Sequence, residues 1–201
     1  MTDRTPHPGY KLISSMDFAE NKQQLALSYL LRLFGAIVFT ALFIWLSRLI
    51  HPELPAALEP FLTVSIPGIP EVVSLLLVIL SVVLVLAMHE LVHASVFYLD
   101  QRVPPHIGIR GPIIFAAAPG YMIKRLPMLI NGLAPFTVIS ILGLALIALL
   151  PIAWLPWIFI PTVVNAAAAG GDFMMVVWIL KLPGNAVFED DGDVTRAYEP
   201  A

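Results

Sequence analysis

The sequence predicts an all-α integral membrane protein with about four transmembrane helices. Its 201 residues are 59% hydrophobic and only 12% charged, whereas a soluble domain carries about 25% charged residues. Four apolar stretches are each long enough for a spanning helix, which needs about 20 residues. No internal repeat is visible, so one membrane domain accounts for the chain. The four predicted spans are residues 28–50, 71–98, 129–150 and 158–180.

The chain divides into three predicted parts, two tails and the membrane-embedded part between them. Residues 1–27 form a predicted polar N-terminal tail, 28–182 a membrane-embedded metalloprotease-like domain, and 183–201 an acidic C-terminal tail. The five prolines between residues 51 and 70 break any helix there, because proline removes a helical hydrogen bond and clashes with the preceding turn. This segment is therefore predicted to be an external loop or an interfacial segment.

The loop between the second and third spans is too apolar for an ordinary solvated loop. Glycines and prolines punctuate residues 103–127. Irregular backbone at membrane depth must be covered by protein. A re-entrant segment or β-hairpin is one interpretation, and an interfacial loop lying on the bilayer is the other.

Lysines and arginines predict the orientation, because cytoplasmic loops carry an excess of them. They cluster before the first span, in the 99–128 loop and after the last span; the residues are Arg4, Lys11, Lys22, Arg32, Arg102, Arg110, Lys124, Arg125 and Lys181. Apart from Arg48, the other side has almost none. Both termini are therefore predicted to be cytoplasmic, in a multi-pass protein of the cell (inner) membrane.

Composition also limits the chemistry. The net charge of -3 shows no basic face for nucleic acid, so no nucleic-acid partner is predicted. There is no cysteine, which excludes disulfides and thiolate metal sites. Any metal must bind to histidine or carboxylate side chains.

The strongest chemical signal is His89-Glu90-Leu91-Val92-His93 in the second predicted span. Histidines four residues apart on a helix lie on one face and can bind one metal ion. Glu90 could then act as general base on a water, because zinc lowers the pKa of bound water from about 15.7 to about 7. Titratable groups in a membrane helix are costly and mark function by default. The alternative is a set of satisfied polar residues near a helix end. The motif predicts Zn²⁺ as cofactor.

A catalytic zinc site needs a third protein ligand. Asp172 is the only acid inside the fourth predicted span, and it follows the small-residue tract 166–171. Its distance from the cytoplasmic end, roughly 13–14 Å at 1.5 Å per residue, is close to the roughly 16 Å of His89. His106, beyond two prolines in the loop, is the alternative ligand. Glu189 and Glu199 lie in the polar tail.

Two asparagines are further candidates. Asn165 precedes Asp172 by seven residues and so lies on roughly the same helix face, where it could orient a ligand or bind a substrate backbone. Asn131, early in the third span, could do likewise. For both, an interhelical hydrogen bond is the alternative.

Together these residues resemble the zincin peptidase family of small bacterial membrane proteins, formerly a domain of unknown function, and more distantly the site-2 proteases. The resemblance rests on the 89–93 motif, on Asn165 with Gly171-Asp172, and on the acidic ending Asp190-Asp191-Gly192-Asp193. It implies proteolysis within or next to the membrane, with His89, His93 and Asp172 as ligands and Glu90 as base. The Leu-Asp-Gly triplet of site-2 proteases is missing here, because Phe173 follows Asp172.

The first functional hypothesis is a zinc-dependent protease whose partner is a membrane protein or peptide substrate in the lipid bilayer. The second is a non-catalytic metal-binding membrane protein that acts as a scaffold or partner-binding module. A metal transporter is weaker, because Asp172 is the one acid outside the motif in the interior of a predicted span. Glu90 favours the enzyme, since a purely structural zinc site needs no general base.

Overall fold

A computed structural model describes residues 8–18, 20–54, 59–65, 68–102, 104–110, 113–192 and 194–201. The fold is mostly helical and contains one small antiparallel sheet. The helices are α1 (Lys22–Ile50), α2 (Glu59–Leu62), α3 (Glu71–Gln101), α4 (Arg125–Leu149), a 3-10 turn (Ile152–Trp154), α5 (Leu155–Ala168) and α6 (Gly170–Lys181). The strands are β1 (Tyr10–Asp17), β2 (His106–Arg110), β3 (Ile113–Lys124), β4 (Val187–Asp190) and β5 (Val194–Pro200).

Four helical stretches are long and apolar enough to cross a membrane, as predicted. They are Lys22–Ile50, Glu71–Gln101, Arg125–Leu149 and Ile152–Lys181. In the most apolar part of α1, and again of α3, only 17% of the residues are buried. Large side chains such as Leu33, Phe34 and Ile37 are exposed. An apolar surface of this extent indicates a multi-pass membrane protein, because soluble monomers rarely expose contiguous apolar patches of more than a few hundred Å².

The fourth predicted span is not one continuous helix. It consists of the 3-10 turn, α5 and α6, and α5 ends where Ala169 adopts φ -64° and ψ 1°. The Ala169 N–H still donates to the Asn165 carbonyl at 3.1 Å. As a result, Asn165 lies in the last turn of α5 and Asp172 in the first turn of α6.

The sheet corrects the all-α prediction. Its five strands are ordered β1-β5-β4-β3-β2, and all neighbours are antiparallel. The strand pair considered for the 103–127 loop is present as β2 and β3, with His106 opposite Ala117. The other three strands come from the two tails, where no strand was predicted. β1 pairs with β5 from the other end of the chain and β4 pairs with the distant β3, so no local apolar pattern marked them.

The sheet also joins three segments that the helices separate. β1 precedes α1, the β2–β3 pair connects α3 to α4, and β4 and β5 follow α6. Tyr10 in β1 lies opposite Pro200 in β5. The strands β1 to β5 therefore lie on one side of any membrane that the four helices cross.

The backbone divides into two compact units. The first contains Met1–Ser28, Glu90–Ala134 and Asp172–Ala201, and therefore the whole sheet. Its core includes large side chains with at most 2% exposure, namely Phe97, Ile123, Met128, Ile179 and Phe188. Trp178 packs edge-on against Phe188, with ring centroids 5.8 Å apart, and donates to the Ser14 hydroxyl at 3.1 Å. The last helix and the tail strands thus share one core.

The second unit contains Tyr29–His89 and Pro135–Gly171 and is built from helices. Its core is aromatic, and Phe61 of α2 packs against Phe159 of α5 at 4.8 Å between ring centroids. A Cβ on Gly170 would lie 2.9 Å from the Arg32 backbone nitrogen. The small-residue tract that ends at Gly171 therefore approaches the backbone of α1 closely, as small residues allow between apolar helices.

Candidate metal centre

The three residues of the motif lie on one turn of α3. His89 and His93 are buried, with 5% and 7% exposure. One potential ligand atom from each of His89, Glu90 and His93 lies within 4.8 Å of the others. The closeness follows from helical geometry, because residues four apart are stacked on the same face. This turn could hold a metal ion.

The structure places Asp172 beside the second histidine. Its Oδ1 lies 3.6 Å from His93 Nε2. Two atoms bound to one tetrahedral zinc at about 2.0–2.1 Å are about 3.3 Å apart, so both can reach a single ion with a small adjustment. Asp172 is in the first turn of α6, where the helix dipole favours a negative charge. Gly132 of α4 packs here, because a Cβ on it would lie 3.6 Å from the Asp172 carbonyl oxygen.

Asn165 holds the first histidine. His89 Nδ1 lies 2.9 Å from Asn165 Oδ1, and Asn165 Nδ2 lies 3.4 Å from the Pro135 carbonyl oxygen. An amide oxygen only accepts hydrogen bonds, so this arrangement has the proton on Nδ1. Nε2 then carries the ring lone pair and is the atom through which His89 would bind a metal. Hydrogen bonds of this kind orient metal-binding histidines and fix their tautomer.

Glu90 forms a hydrogen bond with the sheet. Its Oε2 accepts a hydrogen bond of 3.1 Å from the Ala116 N–H in β3. β4 pairs with β3 only from Ala118 onwards. Residues two apart on a strand direct their backbone groups to the same edge, so Ala116 continues the edge that β4 occupies. Among the described residues, Ala116 is not paired with β4, and Glu90 accepts its N–H instead.

Asp190, at the end of β4, is a buried acid that the sequence interpretation did not assign to the site. It is 7% exposed and accepts a 2.7 Å hydrogen bond from the Gly192 N–H. Burial raises the pKa of Asp190 to about 7, against the opposing effects of the Gly192 hydrogen bond and the charge of His93. The charge of Asp172 raises this pKa further. Asp190 therefore lies within electrostatic range of both residues.

Glu189, the neighbour of Asp190, has a structural role. It is 2% exposed, and its carboxylate accepts hydrogen bonds from the Gly120 N–H at 2.8 Å and from the Tyr198 hydroxyl at 3.2 Å. Gly120 has φ +82°, and the β3–β4 register shifts between Ala118 and Ile123. Glu189 thus stabilises a bulge in β3.

The remaining candidates lie apart from the ligand cluster. Asn131 is 2% exposed, and among the described residues its Oδ1 has no hydrogen-bond partner. His106 is exposed in β2, with its ring centroid 5.9 Å from that of Phe115. It lines a cavity of about 220 Å³ together with Phe97 and Tyr121. In the described part of the chain, His106 does not belong to the cluster of His89, Glu90 and His93.

The comparison with known families agrees with this geometry. A sequence model of the family described as "Putative zincin peptidase" matches residues 82–187, just over half of the chain. The chain belongs to this family. The match covers the α3 motif, Asn165 and Asp172, and it ends before Asp190. No curated protein and no solved structure matches the chain.

The residues of the metal-binding turn and Asp172 fit a zinc ion. Zinc accepts imidazole nitrogen and carboxylate oxygen, and catalytic sites commonly combine three such protein ligands with one open position. His89 and His93 offer two nitrogens, and the Asp172 carboxylate lies beside His93. The family name implies the same metal.

Proposed function

We propose that this protein is a zinc-dependent peptidase that hydrolyses peptide bonds of a membrane-associated protein or peptide, within or next to the membrane. The observation that carries the proposal is the turn of α3 on which His89, Glu90 and His93 converge, inside one of the four apolar helices. The family to which the chain belongs supports the reaction class. The distant resemblance to site-2 proteases is part of the proposal.

His89, His93 and Asp172 would hold the zinc. The bound ion would act as a Lewis acid, polarising a peptide carbonyl and lowering the pKa of water. Asn165 keeps the Nε2 lone pair of His89 directed to the ion through the 2.9 Å hydrogen bond at Nδ1. The half-buried Asp172 carboxylate offsets part of the ion's charge, which a buried site must do.

Glu90 acts as the general base. It is adjacent to His89 and belongs to the same cluster of potential ligand atoms, so a water at the site is within its reach. Its carboxylate takes the proton from the attacking water and can return it to the leaving amine. The hydrogen bond from the Ala116 N–H holds one carboxylate oxygen in place. Placing a base in this way contributes about 10²–10⁴-fold to the rate.

The substrate binds as an extended segment. Helical peptide bonds have hydrogen-bonded carbonyls, so a helical substrate must unwind before it is cut. The edge of β3 at Ala116, next to the end of β4, is the position for it to pair as an added strand. A substrate there would replace Glu90 as the acceptor of the Ala116 N–H. That exchange would bring a peptide backbone beside the base.

The site works on the cytoplasmic side of the inner membrane, in a multi-pass protein with both termini in the cytoplasm. The excess of lysine and arginine in the chain ends and in the α3–α4 connection supports this orientation. The sheet that joins β1, β5 and the β2–β3 pair is consistent with it.

The test uses Glu90→Gln in the full-length protein. Glutamine keeps an acceptor for the Ala116 N–H but cannot take a proton, so the variant should bind zinc normally and leave substrates uncut. Mass spectrometry should then show membrane proteins that accumulate with Glu90→Gln, and purified wild-type protein should cleave them. Glu71→Gln, on the exposed first turn of the same helix, is the matched control and should cleave normally.

Cleavage by Glu90→Gln at the wild-type rate would contradict the mechanism. Identical membrane proteomes for the wild type and the variant, with zinc bound to both, would favour the non-catalytic metal-binding scaffold instead.

A further inference from the structure

Asp190 is a buried carboxylate for which the proposed mechanism has no use. It ends β4, and 93% of its surface is covered, since its exposure is 7%. The one hydrogen bond to its side chain within the described residues comes from the Gly192 N–H. A buried carboxylate with so little compensation is costly unless a cation or further donors lie beside it. The position of Asp190 in the sheet shows which residues lie beside its carboxylate.

The register of β3 places Asp190 next to the base. Asp190 lies opposite Ala118, and the Ala116 N–H, two residues earlier on the same edge, is bound to Glu90. Two residues along a strand span about 6.6–6.8 Å. Asp190, the last residue of β4, therefore lies about two residues along β3 from the Ala116 N–H, to which Glu90 is hydrogen-bonded.

Contacts with α6 place Asp190 beside Asp172. Thr195 lies opposite Asp190 in β5, and its hydroxyl is 3.9 Å from the Met175 sulfur. Met175 follows Asp172 by three residues on α6, so the two are neighbours on one helix face. The end of β4 thus packs onto the turn of α6 that carries Asp172.

The alternation of β4 directs Asp190 toward the helices. Phe188, two residues earlier, points to the same face of the strand. It belongs to the core that also contains Phe97 of α3 and Met175 of α6. Phe97 follows His93 by four residues, one helical turn away. The face that holds Asp190 is therefore the one that packs against the metal-binding turn.

Three carboxylates act on His93. Its charge interactions include those with Asp172, Glu90 and Asp190. Arg196, the cation on the neighbouring β5, is engaged by Asp191 and lies 4.0 Å from Glu189. A negative charge near a binding site favours the binding of a cation there. A divalent metal ion bound at the histidines would therefore be stabilised by Asp190.

We propose that Asp190 is a further carboxylate of the metal centre, which raises its affinity for a divalent cation beyond what His89, His93 and Asp172 supply. This inference rests on the proposed zinc site. It assigns a role to the acidic ending of the chain, which lies beyond the matched family region. The tail strands β4 and β5 then belong to the metal site as well as to the fold.

The test compares zinc affinity in three forms of the full-length protein: wild type, Asp190→Asn and Asp191→Asn. Asparagine at position 190 keeps an oxygen for the Gly192 N–H and removes only the charge. Asp191→Asn removes an equal charge one residue away, where the carboxylate pairs with Arg196. Competition with a chelating dye should show affinity lowered about 10–100-fold by Asp190→Asn, the range for residues that support metal ligands. Asp191→Asn should leave the affinity nearly unchanged.

Equal zinc affinity of Asp190→Asn and wild type would overturn the inference and leave the proposed zinc site intact. Failure of the wild type to bind zinc would contradict both this inference and the proposed zinc site. A measurement on the unaltered protein decides the matter even if Asp190→Asn does not fold. Fe²⁺ loaded in place of zinc, with ascorbate and peroxide, should cleave the backbone around residues 188–192 as well as in α3. Cleavage in α3 without cleavage near Asp190 would also overturn it.

Discussion

His89 Nδ1 and Asn165 Oδ1 lie 2.9 Å apart, although 76 residues separate them in the chain. The contact joins the metal-binding turn of α3 to the last turn of α5, just before that helix ends at Ala168. Asn165 is fully buried and is itself positioned by the Pro135 carbonyl of α4. Three helices thus determine the orientation of one imidazole.

This relationship predicts a loss of metal affinity in Asn165→Ala. Without the acceptor, the His89 ring can rotate or change tautomer, so zinc affinity should fall about 10–100-fold. Asn165→Asp keeps an acceptor oxygen and should retain most of the affinity. Titration of the purified protein with zinc against a chelating dye measures both.

Asn131→Ala is the control, because Asn131 is a buried asparagine of α4 whose Oδ1 accepts no hydrogen bond from the described residues. It should bind zinc with nearly wild-type affinity. Equal losses in Asn165→Ala and Asn131→Ala would mean that buried amides support the fold and not the histidine.

Asp172→Ala should lose most of the bound zinc. The carboxylate lies 3.6 Å from His93 Nε2, close to the about 3.3 Å expected for two ligands of one tetrahedral ion. Asp172→Glu and Asp172→His should recover part of the metal content, because each restores a ligand atom. Atomic emission on the purified variants gives the zinc per protein.

His106→Ala is the comparison, since its exposed ring lies near Phe115 in β2. It should leave the zinc content nearly unchanged. The reverse pattern, with zinc lost in His106→Ala and kept in Asp172→Ala, would make the loop histidine the third ligand.

The membrane topology should have four spans with both termini on the cytoplasmic side. The pairing of β1 with β5 requires both chain ends to be on one side, and the lysines and arginines indicate which side that is. Reporter fusions after Arg125 and Pro200 should read as cytoplasmic, and a fusion after Pro60 as external. A C-terminal fusion that reads as external would show that one helix does not cross.

Gly170→Ala should destabilise the protein by about 1–3 kcal/mol, the usual cost of overpacking. The added Cβ would lie 2.9 Å from the Arg32 backbone nitrogen and 3.1 Å from the Leu31 carbonyl carbon. Backbone atoms cannot rotate away, so α1 must shift. Gly184→Ala meets nothing within 4 Å and should unfold at the wild-type temperature in a thermal melt in detergent. Equal melting temperatures for the two variants would contradict this packing.

The local features of the site were accessible from sequence because they repeat over a few residues. The spacing of His89 and His93 places both on one helix face whatever surrounds the helix. Asp172 was selected because a single acid in an apolar stretch stands out, and the structure brings it to His93. Asp190 was noted only as part of the acidic ending, one of five acids in the polar tail, and was given no role in the site. The four residues of β4 are too few to identify a strand from sequence.

The sequence by itself determined the four apolar helices and the metal-binding turn, because hydropathy and helical periodicity depend on near neighbours in the chain. Only the tertiary structure decided that the tails form strands, that the last apolar stretch breaks at Ala169, and that Asp190 is buried at the end of β4. Those features depend on pairs such as Tyr10 with Pro200 and Ala118 with Asp190. A strand has no hydrogen-bonded partner within itself, so its place is set by whichever distant segment completes its ladder.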